Sequence, residues 1–289
     1  MSSSRALVLG GGGARGAAQA GVLMALFESG FDSPGHVVGS SVGALNGAGI
    51  AAFPTLAGAQ MVRQFWQGEH VRQVFRRRPA GMLLSRLQGR ASLVPSTSIE
   101  RLIIRVEELT GCRQFEDLRI PLSVLATDLG SGLRVVFRSG PLGPALLAST
   151  AIPGLYPAVT IGPNTYLDGG VVDNTPISVA VEEGAREILA ISLMAGAELE
   201  AIPRSWGGMI ARTLQLSLHH RMLSDFERLR ERARIAVLCP VLSADADQAV
   251  TQGQAEGLIE SARVATRAFL ARTGGSLFRH SAVHYLDLR

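Results

Sequence analysis

The sequence contains no lysine, so all 28 of its permanently basic side chains are arginines. This absence excludes mechanisms that need a lysine, such as Schiff-base catalysis or the phosphate-binding loop that ends in Gly-Lys-Ser/Thr. The chain has only two cysteines, Cys112 and Cys239, which are far apart and lack metal-ligand spacing. We therefore expect neither a disulfide scaffold nor a metal site, and a reducing, cytoplasmic setting fits this usage best.

Long apolar runs are also missing. No stretch reaches the 18 or so uncharged apolar residues of a membrane-spanning helix, so none is predicted. The N-terminal segment has only a short apolar run before a glycine cluster, too short for the core of a signal peptide. These absences again predict a cytoplasmic protein.

Aromatic residues make up only 5% of the 289 positions, and the formal net charge is +4. Because no basic stretch is interleaved with aromatic residues, we expect no nucleic-acid binding. Hydrophobic residues reach 47% and charged residues 18%, which predicts a folded globular chain rather than a disordered one. With no repeat and no obvious linker, the sequence predicts a single domain over residues 1–289.

Short apolar runs alternate with helical segments at the start of the chain. Residues 5–9 predict a buried strand, residues 17–28 a helix, and residues 36–38 a second strand followed by a helix-compatible segment. This order is typical of an α/β fold with a parallel sheet and helices on its faces. Residues 55–111 are polar and arginine-rich, and we interpret them as a helical insertion in a core of about residues 5–195.

Residues 200–289 are predicted to extend this core with further helices and a strand. Within 206–232, apolar residues recur at spacings of three or four, so we expect a long helix with one apolar face on the core. A final helix is predicted over 254–272, and the last dozen residues are predicted to form a tail. The apolar residues of the long helix are Ile210, Leu214, Leu218, Met222, Phe226 and Leu229.

A glycine cluster follows the first predicted strand. Residues 10–16 read GGGGARG, in which Gly11, Gly13 and Gly16 satisfy G-x-G-x-x-G at the start of a helix. Successive amides at a helix N-terminus bind anions, which suits a dinucleotide phosphate or another negative charge. A dinucleotide fold needs an acidic residue about 20 residues on, at the end of the second strand, but that strand ends in Gly-Ser. An NAD(P)-type oxidoreductase is therefore the less favoured alternative.

Gly39, Ser41 and Gly43 form the pattern G-x-S-x-G between the second strand and the next helix. In such a turn the central serine has a strained backbone, small neighbours relieve the crowding, and the hydroxyl projects at a helix N-terminus. A five-residue pattern arises easily by chance in a glycine-rich chain. The strand–turn–helix context is what favours Ser41 as a nucleophile over its neighbour Ser40.

A serine nucleophile needs a base within hydrogen-bond reach. Asp168 follows an apolar pair and precedes Gly169 and Gly170, which predicts a position at a strand end where small residues allow close approach. Asp128 and Asp173 are alternatives, although a turn or capping role is the simpler interpretation of both. Residue types alone therefore leave all three aspartates open as the base.

Histidine offers another route to a base. The chain has six histidines, and a Ser-Asp-His order would combine Asp168 with His219 or His220. Both histidines lie in the middle of the predicted long helix, whereas catalytic residues are more often on loops. A histidine-dependent esterase, an acyltransferase and a non-catalytic binding protein all remain open.

The ordered set GGGARG, GSSVG and DGG resembles the patatin-like phospholipase family, particularly its bacterial members. The segment ASTAIPG at 148–154 resembles a further block of that family, and the whole resemblance spans about residues 5–195. It implies a three-layer α/β/α fold with a mostly parallel central sheet. It also implies a serine lipid acyl hydrolase of phospholipase A, lysophospholipase or esterase type that needs no cofactor.

Carried over to this sequence, the resemblance implies that Ser41 is the nucleophile and Asp168 the base, without histidine. The amides of residues 11–13 would form the oxyanion hole. Arg15 occupies the basic position of the glycine motif, where bracing the loop is its simplest role. The oxyanion-hole residues are Gly11, Gly12 and Gly13, and the supporting glycines are Gly39, Gly43, Gly169 and Gly170.

Residues 72–90 carry six arginines among apolar residues. One interpretation is a segment that rests on an anionic lipid surface and gates the site. A solvated helical surface that covers the core explains the same pattern equally well. The partners expected from the sequence are a lipid or ester substrate and, in the first interpretation, a peripheral membrane surface.

Overall fold

The computed structural model of the chain describes residues 5–75, 92, 95–195, 202, 205–242, 254–274 and 276–288. Within these ranges one nine-stranded sheet forms the middle layer. Two separate apolar clusters cover its opposite faces, and helices contribute to both. This arrangement confirms the predicted α/β/α fold.

The sheet is built from six strands that pair in parallel and three that join by antiparallel pairing. Hydrogen bonds connect the strands in the order β5, β6, β3, β2, β1, β7, β8, β9, with β4 also paired to β3. The strands are β1 (Arg5–Leu9), β2 (His36–Ser40), β3 (Leu122–Asp128), β4 (Arg134–Phe137), β5 (Val159–Ile161), β6 (Asn164–Asp168), β7 (Glu187–Ile191), β8 (Arg234–Val241) and β9 (Ala282–Asp287).

The helices fill the outer layers. None of those described is long and apolar enough to cross a membrane. Short 3₁₀ turns occur at Gly13–Arg15, Phe115–Asp117 and Gly169–Val171. The helices are α1 (Gly16–Glu28), α2 (Val42–Ala52), α3 (Leu56–Gln67), α4 (Glu69–Phe75), α5 (Ser96–Thr110), α6 (Leu142–Ser149), α7 (Ile177–Glu182), α8 (Trp206–Leu229) and α9 (Ala255–Thr273).

The central strands are continuous apolar runs because both faces of the sheet are buried. In β1, Leu7 and Leu9 belong to the cluster under α1, α2, α5 and α9. Ala6 and Val8 belong to the cluster under α7 and α8 on the other face. The alternation along one strand therefore joins both outer layers to the sheet.

Residues 55–111, predicted as a helical insertion, contain α3, α4 and α5. Helix α3 packs against α1 and α2, and α5 packs against α2 and α6. These helices therefore share the layer that covers one sheet face. Residues 76–91, which hold most of the arginine-rich stretch 72–90, lie outside the described part of the chain.

The prediction of a C-terminal tail is wrong. Residues Ala282–Asp287 form β9, which pairs in parallel with β8 from Ala236↔Ala282 to Val241↔Asp287. Of the six residues in β9, only Leu286 is buried. The strand lies at the sheet edge, so it lacks the apolar run that identifies the central strands.

The predicted apolar face of the long helix α8 is buried only toward its C-terminus. Met222 and Phe226 are buried, whereas Ile210 is 49% and Leu214 is 54% exposed. A step of four residues advances about 400° around a helix, so repeated steps of four turn the series by about 40° each. From Ile210 to Phe226 the series turns by about 160°, which puts its ends on nearly opposite sides. The prediction of one buried face is wrong for this reason.

Strand β3 has two partners along one of its edges. Residues 124–125 pair with both β2 and β4, whereas residues 126–127 pair with β4 and β6. Because a strand residue has one neighbour on each side, β4 occupies one edge and β2 and β6 share the other. Ser40 at the end of β2 and Asp168 at the end of β6 thus pair with consecutive residues of β3.

Candidate active site

Ser41 lies in the turn between β2 and α2 and has a backbone conformation that residues other than glycine rarely adopt. Its φ is 55°, and it is the only non-glycine residue with positive φ among those described. A Cβ on Gly39 would lie 2.6 Å from the Cα of Ala44, and a Cβ on Gly43 would overlap the carbonyl oxygen of Leu9. The turn therefore has the strain and the close packing that the G-x-S-x-G pattern predicts.

Helix α6 supports this strained turn through a buried hydrogen bond. The amide of Ser41 donates a hydrogen bond to Oγ of Ser149, with an N–O distance of 2.9 Å. Ser149 is fully buried at the end of α6. Ser149 was not predicted as a site residue. The ASTAIPG block that contains it could have indicated this role.

The hydroxyl of Ser41 donates a hydrogen bond to Asp168. The distance from Oγ to Oδ2 is 2.6 Å, and both residues are buried. The other carboxyl oxygen, Oδ1, accepts a hydrogen bond of 2.7 Å from the amide of Gly170. Burial raises the pKa of Asp168 to about 6, although the hydrogen bonds from Ser41 and Gly170 act to lower it. The carboxylate is thus more basic than that of an exposed aspartate, and it is ionised at neutral pH.

The backbone of Asp168 is fixed as firmly as its side chain. Its amide donates to the carbonyl oxygen of Ala151 at 2.9 Å, and its own carbonyl accepts from Oγ1 of Thr127 at 2.9 Å. The next residue must be small, because a Cβ on Gly169 would lie 2.5 Å from the carbonyl oxygen of Leu125. This close approach explains the first glycine of the DGG motif.

The glycine loop after β1 lies against Ser41, but its amides are not equivalent. A Cβ on Gly11 would lie 2.9 Å from the Cβ of Ser41. The Gly11 amide donates to the carbonyl oxygen of Asn174 at 3.0 Å. The amides of Gly12 and Gly13 have no acceptor within the described residues, and both glycines are partly exposed. Only these two of the three predicted amides are therefore available to a ligand in this structure.

Asn174 joins the glycine loop to the segment after Asp168. Its Nδ2 donates to the carbonyl oxygen of Gly11 at 3.1 Å, in addition to the backbone bond in the opposite direction. A Cβ on Gly170 would lie 2.7 Å from Oδ1 of Asn174, which explains the second glycine of DGG. This buried asparagine was not predicted as a site residue. In the sequence, only its position shortly after the DGG motif could have indicated the role.

Arg15 closes the glycine loop. Its amide donates to the carbonyl oxygen of Gly12 at 3.1 Å, and α1 begins at the next residue, Gly16. The backbone of Arg15 therefore helps to set the direction of the loop. A bracing role for its side chain stays a prediction.

Neither of the two candidate histidines contacts the Ser41–Asp168 pair. His219 is buried, and its Nε2 lies 3.3 Å from the hydroxyl of Tyr285 on β9. Strand β9 is the sheet edge four strands away from β2. His220 on the next position of α8 is exposed.

The two alternative aspartates have other partners. Oδ1 of Asp128 accepts a hydrogen bond of 2.8 Å from the amide of Ser131, which is a turn role. Oδ2 of Asp173 accepts a hydrogen bond of 3.2 Å from Oγ of Ser178 and lies 3.6 Å from Nη1 of Arg134. Of the three candidate aspartates, only Asp168 forms a hydrogen bond with Ser41.

A groove of about 510 Å³ opens on the α8 side of the sheet, and the residues that line it include neither Ser41 nor Asp168. One wall comes from the ends of β3 and β6 and the turn after Asp168, and it includes Thr127 and Leu167. The opposite wall comes from α8.

Comparisons with known proteins find a family model and related chains. The family model for patatin-like phospholipases matches residues 7–181. An uncharacterized NTE family protein of Mycobacterium tuberculosis is 34% identical over 188 residues, which cover 65% of this chain and 48% of that protein. Lysophospholipase NTE1 of Mycosarcoma maydis is 32% identical over 209 residues, covering 71% of this chain and 10% of that protein.

Among solved structures, VipD from Legionella pneumophila aligns over 89% of this chain and 67% of its own, with 12% identity and a TM-score of 0.45. The match to the mycobacterial relative covers about half of that relative's length, 48%.

Proposed function

Because the chain belongs to the patatin-like phospholipase family, we propose that it is a serine hydrolase that cleaves carboxylic esters of lipids. The observation that carries the proposal is the 2.6 Å hydrogen bond from the hydroxyl of Ser41 to the buried carboxylate of Asp168. A nucleophile and a base in direct contact are the minimum that acyl transfer to a serine requires.

In the acylation step, Oγ of Ser41 attacks the ester carbonyl carbon while Asp168 accepts the hydroxyl proton. The ester C–O bond then breaks, and the proton passes from Asp168 to the departing alcohol or lysolipid. The raised pKa of Asp168, about 6, supports this role because a base close to neutrality both takes and returns a proton readily.

The negative charge on the carbonyl oxygen needs hydrogen-bond donors while the bond to Ser41 forms. We assign the oxyanion hole to the amides of Gly12 and Gly13 only. The Gly11 amide is left out because it already donates to the carbonyl oxygen of Asn174. The hydrogen bonds between Gly11 and Asn174 give Gly11 a structural role in the loop. Loss of one oxyanion donor in a serine hydrolase costs roughly 3 kcal/mol of transition-state stabilisation, so this assignment matters for the rate.

In the deacylation step, Asp168 accepts a proton from water, whose oxygen attacks the acyl carbon. The bond from that carbon to Oγ of Ser41 breaks, and the proton returns to Ser41. The balanced products are a free fatty acid and an alcohol. The chemistry uses only residues of this chain.

The experiment that tests the proposal measures hydrolysis of p-nitrophenyl esters of increasing chain length, and fatty-acid release from phosphatidylcholine and lysophosphatidylcholine. We expect Ser41→Ala to lower kcat/KM by about a thousandfold or more. The matched control is Ser40→Ala, a buried neighbour whose hydroxyl has no partner among the described residues. This control is expected to stay within a few-fold of wild type.

A second variant separates the two classes of serine hydrolase. The double variant His219→Ala/His220→Ala is expected to keep its activity, because neither histidine contacts the pair. Loss of activity in a folded double variant would instead indicate a histidine triad. A wild-type protein that is inactive on every ester would contradict the proposal as a whole.

A further inference from the structure

The N-terminal half of α8 exposes a set of large apolar side chains. Trp206 is 77% exposed, and the others are between 39% and 54% exposed. At about 100° per residue, these side chains fall within about 160° of the helix circumference, opposite the buried Met222 and Phe226. We call them the apolar face of α8; they are Trp206, Met209, Ile210, Leu214 and Leu216.

The charges on this part of the helix have one sign. From residue 206 to residue 224 the sequence contains no aspartate or glutamate, whereas Arg212 and Arg221 are both basic. The first acid is Asp225, and Nε of Arg221 lies 4.0 Å from its Oδ2. An apolar helix face with arginines and no acids matches an anionic lipid surface, and a tryptophan at its end suits the headgroup region.

The apolar face of α8 borders a groove in the surface. Leu214 and Arg221 line the groove of about 510 Å³ on the α8 side. Leu167 and Val171, on either side of Asp168 in the sequence, line the groove on the opposite side. A lipid surface that contacts the apolar face therefore also contacts the rim of this groove.

We propose that the apolar face of α8 docks the protein on the surface of an anionic lipid bilayer. This inference rests on the proposed lipid-ester hydrolysis for its purpose, but its physical basis is the exposure, charge and position of one helix. It differs from the expectation for residues 72–90, because it assigns the contact to another segment.

Trp206 provides a direct probe of docking. The chain has two tryptophans. Trp66 is only 1% exposed and donates its indole N–H to Asn46, so its emission is not expected to respond to lipid. In the Ser41→Ala background, which prevents hydrolysis of the vesicles, we expect a blue shift of the Trp206 emission with phosphatidylcholine vesicles that contain phosphatidylglycerol. The shift should be weaker with phosphatidylcholine alone, and Trp206→Phe should abolish it.

A matched pair of variants tests the surface itself by co-sedimentation with the same vesicles. Ile210→Gln/Leu214→Gln is expected to weaken partitioning by about tenfold or more. The control Ile104→Gln/Val264→Gln changes two side chains of similar exposure, 52% and 56%, on α5 and α9. It is expected to leave partitioning within about twofold of the parent.

Three results would overturn the inference: no binding to anionic vesicles, equal binding with and without phosphatidylglycerol, or an equal loss in the control pair. Hydrolysis of the water-soluble p-nitrophenyl butyrate, measured with Ser41 intact, separates this inference from the proposed function. Both glutamine pairs should keep that activity. Vesicle binding without any esterase activity would contradict the hydrolase alone, whereas esterase activity without vesicle binding would contradict the docking alone.

Discussion

Asp168 and Asp173 lie on one short segment, and burial raises the pKa of each to about 6. Their surroundings differ. Asp168 accepts hydrogen bonds from the hydroxyl of Ser41 and from a backbone amide. Besides its burial, the pKa of Asp173 is raised by Asp225 and lowered by arginines, among them Arg134. A raised pKa therefore reports burial at both positions, and only contact with a nucleophile distinguishes a candidate base.

The largest expected difference between the two aspartates is in catalysis. Asp168→Asn should lower kcat/KM for a p-nitrophenyl ester by about a thousandfold or more, because an amide cannot accept the serine proton. Asp173→Asn removes a carboxylate of similar burial and pKa, and it should leave kcat/KM within about threefold in the folded protein. Equal losses in two folded variants would remove the distinction between them.

The pH dependence of the wild-type rate should follow Asp168 alone. The base must be ionised, so kcat/KM should be constant above about pH 6 and fall about tenfold per unit below it. Asp173→Asn should give the same midpoint, since its carboxyl takes no part in proton transfer. A shift of the midpoint by a full unit in Asp173→Asn would show that the two groups are coupled.

In stability, by contrast, the two aspartates should behave alike. Their folded pKa of about 6 lies above the ordinary aspartate value of 3.8, so the folded protein binds more protons between these values. The free energy of unfolding should therefore fall as pH rises through this window and level off above it. Each Asp→Asn variant should remove part of this fall, up to about 3 kcal/mol for a shift of about 2 units.

Urea denaturation at a series of pH values measures this effect as the difference between variant and wild type. Ser40→Ala is the control, because it changes a buried side chain that carries no ionisable group. Its difference from wild type should be the same at every pH. A flat curve for Asp168→Asn as well would mean that burial does not raise the pKa of Asp168.

The smallest expected effect concerns Arg134, which lowers the pKa of Asp173. Arg134→Gln should raise the pKa of Asp173 further and reduce the free energy of unfolding at pH 8 by about 1 kcal/mol. The value of kcat/KM should stay within about twofold. A tenfold loss in the folded variant would instead connect the Asp173 cluster to the reaction.

Local sequence signals were enough to predict the strand ends that carry Ser41 and Asp168. The reason is steric: Gly39, Gly43 and Gly169 each have backbone atoms where a Cβ would lie, so the turns require these residues. The family resemblance and the α/β/α fold are confirmed by the match over residues 7–181 and by the sheet. The catalytic assignments stay proposals that the variants above test.

Interactions between distant segments could not be predicted in the same way. The bond from the Gly11 amide to Asn174 depends on how two loops meet, and nothing in the GGGGARG pattern indicates it. The error in α8 has a different source. Its spacing predicts a helix, but successive steps of four residues turn the apolar series around the helix, so Met222 is buried and Ile210 is not.

Because β2 and β6 share one edge of β3, the Ser41–Asp168 pair tolerates insertions in the chain but depends on the register of these strands. Ser41 and Asp168 are separated by 127 positions in the sequence. Their spacing is nevertheless set by two consecutive positions of β3, since β2 and β6 end side by side on that strand. Loops and helices between them can lengthen without moving either side chain. A slip of β6 by one residue would move Asp168 by about 3.3 Å and turn its carboxylate to the other sheet face.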